Sequence, residues 1–411
     1  MTAPRSIQLG IALDGAGWHP AAWREPHSRP TELFTAQHWK VLASEAERTG
    51  AELLTIEDAF GLQTAEPFAE DERTDEVRGR LDAVLVASLL ARTTTGIGLV
   101  PVATTTHTEP FHLASALATL DHVSEGRGGW QVRVSVLRRD ALLTGRREVP
   151  AIDGPQDPAA APLTRELFAE ASAVVDTARA LWDSWEDDAE IRDVATDRFL
   201  DRDKLHRVDA ETPWFSVRGP SIVPRPPQGQ PVVLALAHAH EPYLFAARSA
   251  DLVVVTPQDR ADAARIRGEV RAAETEAGRT GEPLRLLADL VVLLDGPTET
   301  GAARLARLDG LARPLTSDAR VVAGSAAQVA DVIGELVEAG YDGVRLRPGV
   351  AADDLPRIAD DLVPELRRRG LRDATSPTAP TAPLTDTSLR ARLGLPTTVP
   401  NRFATTTRRA S

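Results

Sequence analysis

The 411-residue sequence contains no cysteine. Disulfides, thiolate nucleophiles and cysteine-ligated zinc or iron–sulfur clusters are therefore excluded. It contains one methionine, two tyrosines and, in Lys40 and Lys204, two lysines among 47 basic residues, a bias that points to a GC-rich genome rather than to chemistry. No apolar run approaches the roughly 18 residues a membrane span requires. "MTAPRSIQLG" lacks the apolar core of a signal peptide, so a cytoplasmic location is expected. Positive charge is also short: 47 Lys and Arg against 60 Asp and Glu give a net charge of −13. That balance argues against nucleic acid as a partner, and the absent span argues against a membrane.

What is present is a repeated alternation. Short apolar runs occur at "IQLGIAL", "AELLTIED", "GIGLVPVATT", "GGWQVRVS", "PVVLALA", "LVVVTP", "LRLLADLVVLL" and "DGVRLRP". Amphipathic helical segments separate most of them. One is "TELFTAQHWKVLASEAERTG", for which Thr31 is the expected N-cap. Eight such units over about 370 residues predict a (β/α)8 barrel with insertions after strand four. An open doubly wound sheet is the alternative, but "GIALDGAGWHP" lacks the third glycine of a dinucleotide loop. Residues 1–372 form the expected barrel domain. Residues 373–411 form a Pro/Thr-rich linker and a C-terminal tail, expected to be disordered, in which "LRARLGLP" offers a turn or two of helix for docking back.

Barrels of this kind place their working residues at the C-terminal ends of the strands. That rule selects Trp18, His19, Trp23 and Arg24 after strand one, and Glu57 and Asp58 after strand two. It adds Thr104, Thr105, Thr106 and His107 after strand three, Trp130, Gln131 and Arg133 on strand four, His238 and His240 after strand five, and Arg345 and Arg347 on strand eight. Aromatic faces, hydroxyls, an acid and histidines suit a planar polar ligand. By position, His19 and His107 are the candidate general acid/base residues. Each residue also has a plainer reading: Asp58 as a helix cap or arginine partner, the threonines as strand and cap chemistry, Trp130 as core. The pair in "ALAHAHEP" invites a metal, but its spacing does not require one, and no metal is expected.

At strands three and four the sequence becomes recognisable. "VATTTHTEPFHLASALATLDHVSEGRGGWQVRVS" resembles the bacterial luciferase-like flavin monooxygenases, within them the branch of the nitrilotriacetate, EDTA and dibenzothiophene-sulfone monooxygenases. "WHPAAWREP", "WFSVRGPSIVPRPPQGQPVV", "AGSAAQVADVIGELVEAGYDGVRL" and "SLRARLGL" are similar to further segments of that branch. The resemblance implies an oxidoreductase using reduced FMN from a separate NAD(P)H:flavin reductase, with O2, on a small organic substrate, and a homo-oligomer. F420 is the alternative cofactor. It also implies cofactor contacts at Asp58, Thr104, Thr106 and Gln131, while at the rewritten phosphate end His238 or His240 is the candidate replacement donor.

Several positions depart from the branch. Gln131 stands for Asn, Val134 for Thr and Phe168 for Tyr, and "ALAHAHEP" replaces a Gly- and Ser-bearing phosphate end, with Ala237 for Gly and Ala239 for Ser. Losing two charge-assisted donors, about 1.5–3 kcal/mol each, weakens FMN by roughly two to four powers of ten. Hence the second reading, a non-catalytic homologue or partner subunit that has lost FMN. The segment between "LDGLARPL" and "TSDARVV" is shorter than in the branch, which implies a more open mouth.

Overall fold

The computed structural model describes residues 6–69, 71–373 and 387–404. Eight parallel strands close into a barrel: β1 (Gln8–Leu13), β2 (Leu53–Ile56), β3 (Gly98–Thr104), β4 (Gly129–Arg133), β5 (Val232–Leu236), β6 (Leu252–Val255), β7 (Arg285–Leu294) and β8 (Gly343–Pro348). Closure is by β8 on β1 and β6 on β7. These strands read as near-continuous apolar runs because helices cover their outer faces and side chains fill the inside. Each of the eight runs seen in the sequence is one of these strands.

The helices that position the site are α1 (Ala36–Arg48), α2 (Ala83–Leu90), α3 (Pro110–Val123), α4 (Arg138–Thr144), α5 (Ala160–Trp182), α6 (His240–Ser249), α7 (Arg260–Glu276) and α8 (Gly301–Asp309). Thr31 does not cap α1; it lies in a short 3-10 turn, Pro30–Glu32. Thr35 caps instead, its hydroxyl accepting from His38 N at 3.2 Å. The helix starts where its buried stripe of His38, Trp39, Leu42, Ala43 and Ala46 first meets the barrel. Between α5 and β5 the chain makes two antiparallel ribbons, Glu190–Asp193 with Arg198–Leu200 and Val208–Glu211 with Ser216–Gly219, within the insertion expected after strand four.

One strand was not foreseen. Arg320–Gly324 pairs with the outer half of β7, Leu290–Leu294, while the inner half of β7 pairs with β6. At ten residues β7 outreaches β6, and this extra strand takes up its exposed edge. It brings Asp318 to the mouth.

The other end of the barrel is sealed by the chain's own C-terminal segment. Leu389, Leu393 and Leu395 are buried against Leu53, Val100, Val232, Leu234, Leu252, Val254 and Leu287. Leu389 enters where Gly98 and Gly129 leave room: a Cβ at Gly98 would collide with Leu389 Cδ1 and lie 3.0 Å from Glu52 O. Gly98→Ala is therefore expected to destabilise the fold by about 1–3 kcal/mol, measured by urea unfolding, because this close-packed floor cannot absorb a methyl group.

The tail's expected disorder is corrected for the part described. Asn401 donates to Asp183 O and Trp185 O (both 2.8 Å), and Phe403 stacks on His206 at 5.2 Å. The Pro/Thr-rich stretch falls mainly on 374–386, outside the described residues.

The segments that carried the resemblance meet at this sealed end. Asp121 of α3 accepts from Gly128 N (3.1 Å), Gln228 N (3.0 Å) and Gln228 Nε2 (2.6 Å). Gln228 Oε1 in turn accepts from Arg390 N of the tail (3.0 Å). Arg127 spends its guanidinium on Thr94 Oγ1 and on four carbonyls, those of Ser124, Ile97, Ala91 and Thr94. Bonded only to neutral donors among the described residues, Asp121 is pushed up to about 6 by burial. The "LDHVSEGR", "PPQG" and "SLRARLGL" blocks are thus architecture, built of mutually satisfied buried polar groups.

Candidate active site

At the mouth, a ladder of alternating charge runs through the barrel interior. Asp289, in the middle of β7, accepts from Arg345 Nε (2.7 Å) and Nη2 (2.6 Å) and also from Arg347 Nη2. Arg345, fully buried on β8, donates as well to Gln131 Oε1 (2.6 Å) and Thr55 Oγ1 (3.1 Å) and lies 3.9 Å from Glu57. Arg347 continues to Asp318 (2.7 Å) and stacks on the Trp18 ring at 4.6 Å. Asp318 lies 3.6 Å from His238. Buried charges are tolerated only when paired and hydrogen-bonded, and here each is. Asp289 was missed in the sequence reading. The signal was there: a lone acid inside an apolar strand needs a buried cation.

Over this ladder the loop between β2 and α2 forms a roof. Arg80 clasps Asp14 (2.6 and 3.1 Å), Arg313 Nε donates to Glu76 (2.7 Å), and Trp23 Nε1 donates to Asp75 O (3.1 Å). Beneath it lies a cavity of about 430 Å³ whose lining includes Asp14, Trp18, Arg80, Arg133, Ser135, Arg139, Asp140 and Arg313. A second, of about 660 Å³, opens beside it around Phe60, Leu62, Arg139, Asp140 and Leu143. Both fall in the range of small-molecule sites.

The residues singled out in the sequence take different places. His19 is buried; its Nε2 meets Asp309 Oδ1 (3.0 Å) and its Nδ1 accepts from Ala21 N (3.0 Å), so both nitrogens are engaged in fastening the β1 loop to α8. Asp58 accepts from Ala59 N (2.7 Å) and Ala83 N (2.9 Å), tying the roof to the start of α2, and burial raises its pKa. Thr104 ends β3, buried. The Thr105 hydroxyl donates to Arg133 O (3.1 Å), and that of Thr106 accepts from Ser135 N (3.1 Å). These two threonines stitch β3 to the segment after β4. Gln131 lies inside the barrel under the mouth, its oxygen held by Arg345. His107 is buried with neither ring nitrogen bonded.

At the end of β5 the two histidines diverge. His238 Nδ1 pairs with Thr256 Oγ1 (3.2 Å), and His240 Nε2 with Glu276 (3.0 Å). No group of three or more metal-ligating side chains occurs among the described residues. Helix α6 starts at His240 without a side-chain cap, with Glu241 in its first turn paired to Arg165 at 3.2 Å. Phe168 faces the core, 5.6 Å from Phe245.

The luciferase-like monooxygenase family model matches residues 18–316. The chain belongs to this family. The N-acetyl-S-(2-succino)cysteine monooxygenase of Bacillus subtilis (strain 168) is 31% identical over 75% of this chain and 66% of its own length. Component A of the nitrilotriacetate monooxygenase of Aminobacter aminovorans is 30% identical over 76% of this chain and 68% of its own. The crystal structure of the long-chain alkane monooxygenase superposes with a TM-score of 0.79 at 21% identity, covering 96% of each chain. The luciferase-like barrel expected from the sequence is thus the fold observed. No helix among the described residues is long and apolar enough to cross a membrane.

Whether this mouth suits the family's flavin can be judged from its unpaired atoms. His107 Nδ1 and Nε2, Glu57 Oε1 and Asp140 Oδ1 are buried without hydrogen-bond partners around it. Such atoms are costly to leave unmet. The edge of a flavin ring, which alternates donors and acceptors, is of the right chemistry to meet them. The ring end therefore fits. At the start of α6, where the resemblance places the flavin phosphate, backbone N–H groups without a side-chain cap are what an anion would meet. The side chains there are already bonded to one another, and Glu241 and Glu276 are of the wrong sign for an anion.

Proposed function

We propose that this protein is a flavin-dependent monooxygenase of the two-component type, taking reduced FMN from a separate reductase and using O2 to oxidise a small organic substrate. The observation that carries this reading is the set of unpaired buried polar atoms at the mouth of a family barrel. When bound, reduced FMN would supply two electrons and the substrate two more, so that one atom of O2 enters the product and the other leaves as water, with FMN released oxidised. The chain's own residues bind, orient and exclude water. Trp18, Arg133 and Thr104 would hold the ring, with Asp58 and Thr106 fixing the roof and the β3 end around it. Gln131 would support it from the barrel interior. His238 and the start of α6 would receive the phosphate. Proton handling falls to His107, because both nitrogens of His19 are occupied. A loosely gripped phosphate suits a flavin that arrives and leaves with each turnover.

The test is a titration with FMN, anaerobically reduced FMN and F420, followed by fluorescence and calorimetry. Reduced FMN is expected to bind with Kd below about 10 µM, near −7 kcal/mol. Riboflavin, lacking the phosphate, is expected to bind within about tenfold of FMN, a difference under about 1.4 kcal/mol. No binding of any flavin at about 1 mM sinks the enzyme reading. It would favour the second reading, a partner subunit without cofactor, which the bonding of His240 and Glu241 to protein partners supports. Oligomeric state, for which a homo-oligomer is the proposal, follows from sedimentation of the same sample.

A further inference from the structure

His107 is unusual in three independent respects. Its imidazole is more than nine-tenths buried, yet neither ring nitrogen has a partner. Its backbone is in the left-handed region at φ +70°, which a side chain with a Cβ adopts at a cost. Of the five non-glycine residues with positive φ among those described, the other four are exposed, so His107 alone combines that conformation with burial. Third, its ring is met edge-on by Phe60 at 6.1 Å, and Phe60, more than one-third exposed, also lines the 660 Å³ cavity. The conformation is held from outside: Thr108 N donates to Thr105 O (3.3 Å), and Arg146 Nη1 donates to His107 O (3.4 Å). The fold thus fixes the backbone of His107 in an unfavourable state and supplies its side chain with no hydrogen bond. Strain and unmet polarity at one residue persist where a ligand completes the site.

We infer that His107 hydrogen-bonds the polar edge of the bound flavin, with Phe60 as the movable cover that admits the ligand to it. The inference rests on the flavin reading above. Burial, with Arg147 nearby, lowers the imidazole pKa, so the ring is neutral at pH 7 and presents one donor and one acceptor. No side chain among the described residues bonds either nitrogen.

The test uses the full-length protein with ring-15N-labelled histidine. In long-range 1H–15N spectra, the His107 signals, identified by their loss in His107→Phe, should move on addition of anaerobically reduced FMN. His107→Phe is expected to weaken reduced FMN at least tenfold while the urea midpoint stays the same or rises, since no protein hydrogen bond is lost. Phe60→Ala is expected to speed flavin association. If wild-type protein binds reduced FMN but the His107 signals do not move, or if affinity in His107→Phe stays within threefold, the inference is overturned and the flavin reading stands. If wild-type protein binds no flavin, both fall together. Should His107→Phe fold poorly, His107→Gln supplies the assignment by the same loss of signals, and the movement of the wild-type signals on adding reduced FMN decides.

Discussion

Replacing Asp289 with Ala should lower the unfolding free energy by about 3–5 kcal/mol in urea titration, the cost of leaving buried charges without their partner. The expectation follows from where the charges sit. Asp289 holds Arg345 through two oxygens and touches Arg347 as well, and Asp289 and Arg345 are both fully buried. Without it, Arg345 keeps only neutral Gln131 and Thr55 at bonding distance, with Glu57 at 3.9 Å. Asp289→Asn should lose less, since one acceptor remains. Asp289→Ala with Arg345→Met should recover much of the loss, because removing both charges also removes their desolvation cost. A single Ala variant within 1 kcal/mol of wild type would show that water reaches Arg345 and that the ladder is not a dry interior network. The same variant should disturb the mouth, since Arg347 carries the charge stacked on Trp18.

Deleting residues 387–411 is expected to have a still larger effect. Leu389, Leu393 and Leu395 fill the floor of the barrel. At about 1.5–3 kcal/mol for each fully buried leucine, the loss is roughly 5–9 kcal/mol, an upper estimate comparable with the whole stability of an ordinary domain. Arg390, which donates to Gln230 O (3.1 Å) and lies 3.5 Å from Asp251, goes with them. The truncated chain should therefore expose apolar surface, bind a hydrophobic dye and lose its cooperative urea transition. Leu389→Ala alone should cost about 2–5 kcal/mol. A truncated protein that stays soluble with an unchanged midpoint would mean that the floor closes without its plug.

These two results bear on how the sequence is read. The strands and their order were legible because parallel strands buried on both faces must be apolar runs, and the helices between them must be amphipathic. Thr31 was mistaken for the α1 cap because a Thr before an apolar stripe is a local signal, while the start of the helix is set by where the chain first touches the barrel. From the tail only a docking turn at "LRARLGLP" was legible; its place in the barrel floor was not, because composition holds no record of the cavity that Gly98 and Gly129 leave for Leu389. His19 and His107 looked alike as histidines after strands. Only their neighbours separate them: Asp309 and Ala21 N take both nitrogens of the first, and nothing takes those of the second.

By itself, the sequence determined the barrel, its family and the end at which chemistry must lie, because hydrophobic periodicity and strand polarity are properties of the chain. Tertiary structure alone decided which polar groups are spent and which are free. Asp289 with Arg345, Gln228 with Arg390 and His238 with Thr256 lie far apart in the chain or on different strands, and a hydrogen bond depends on separation in space. That is why the family blocks around Asp121, Gln228 and Arg390 proved to be masonry at the closed end, and why, of the two histidines singled out after the strands, only the unbonded one stands out at the open end.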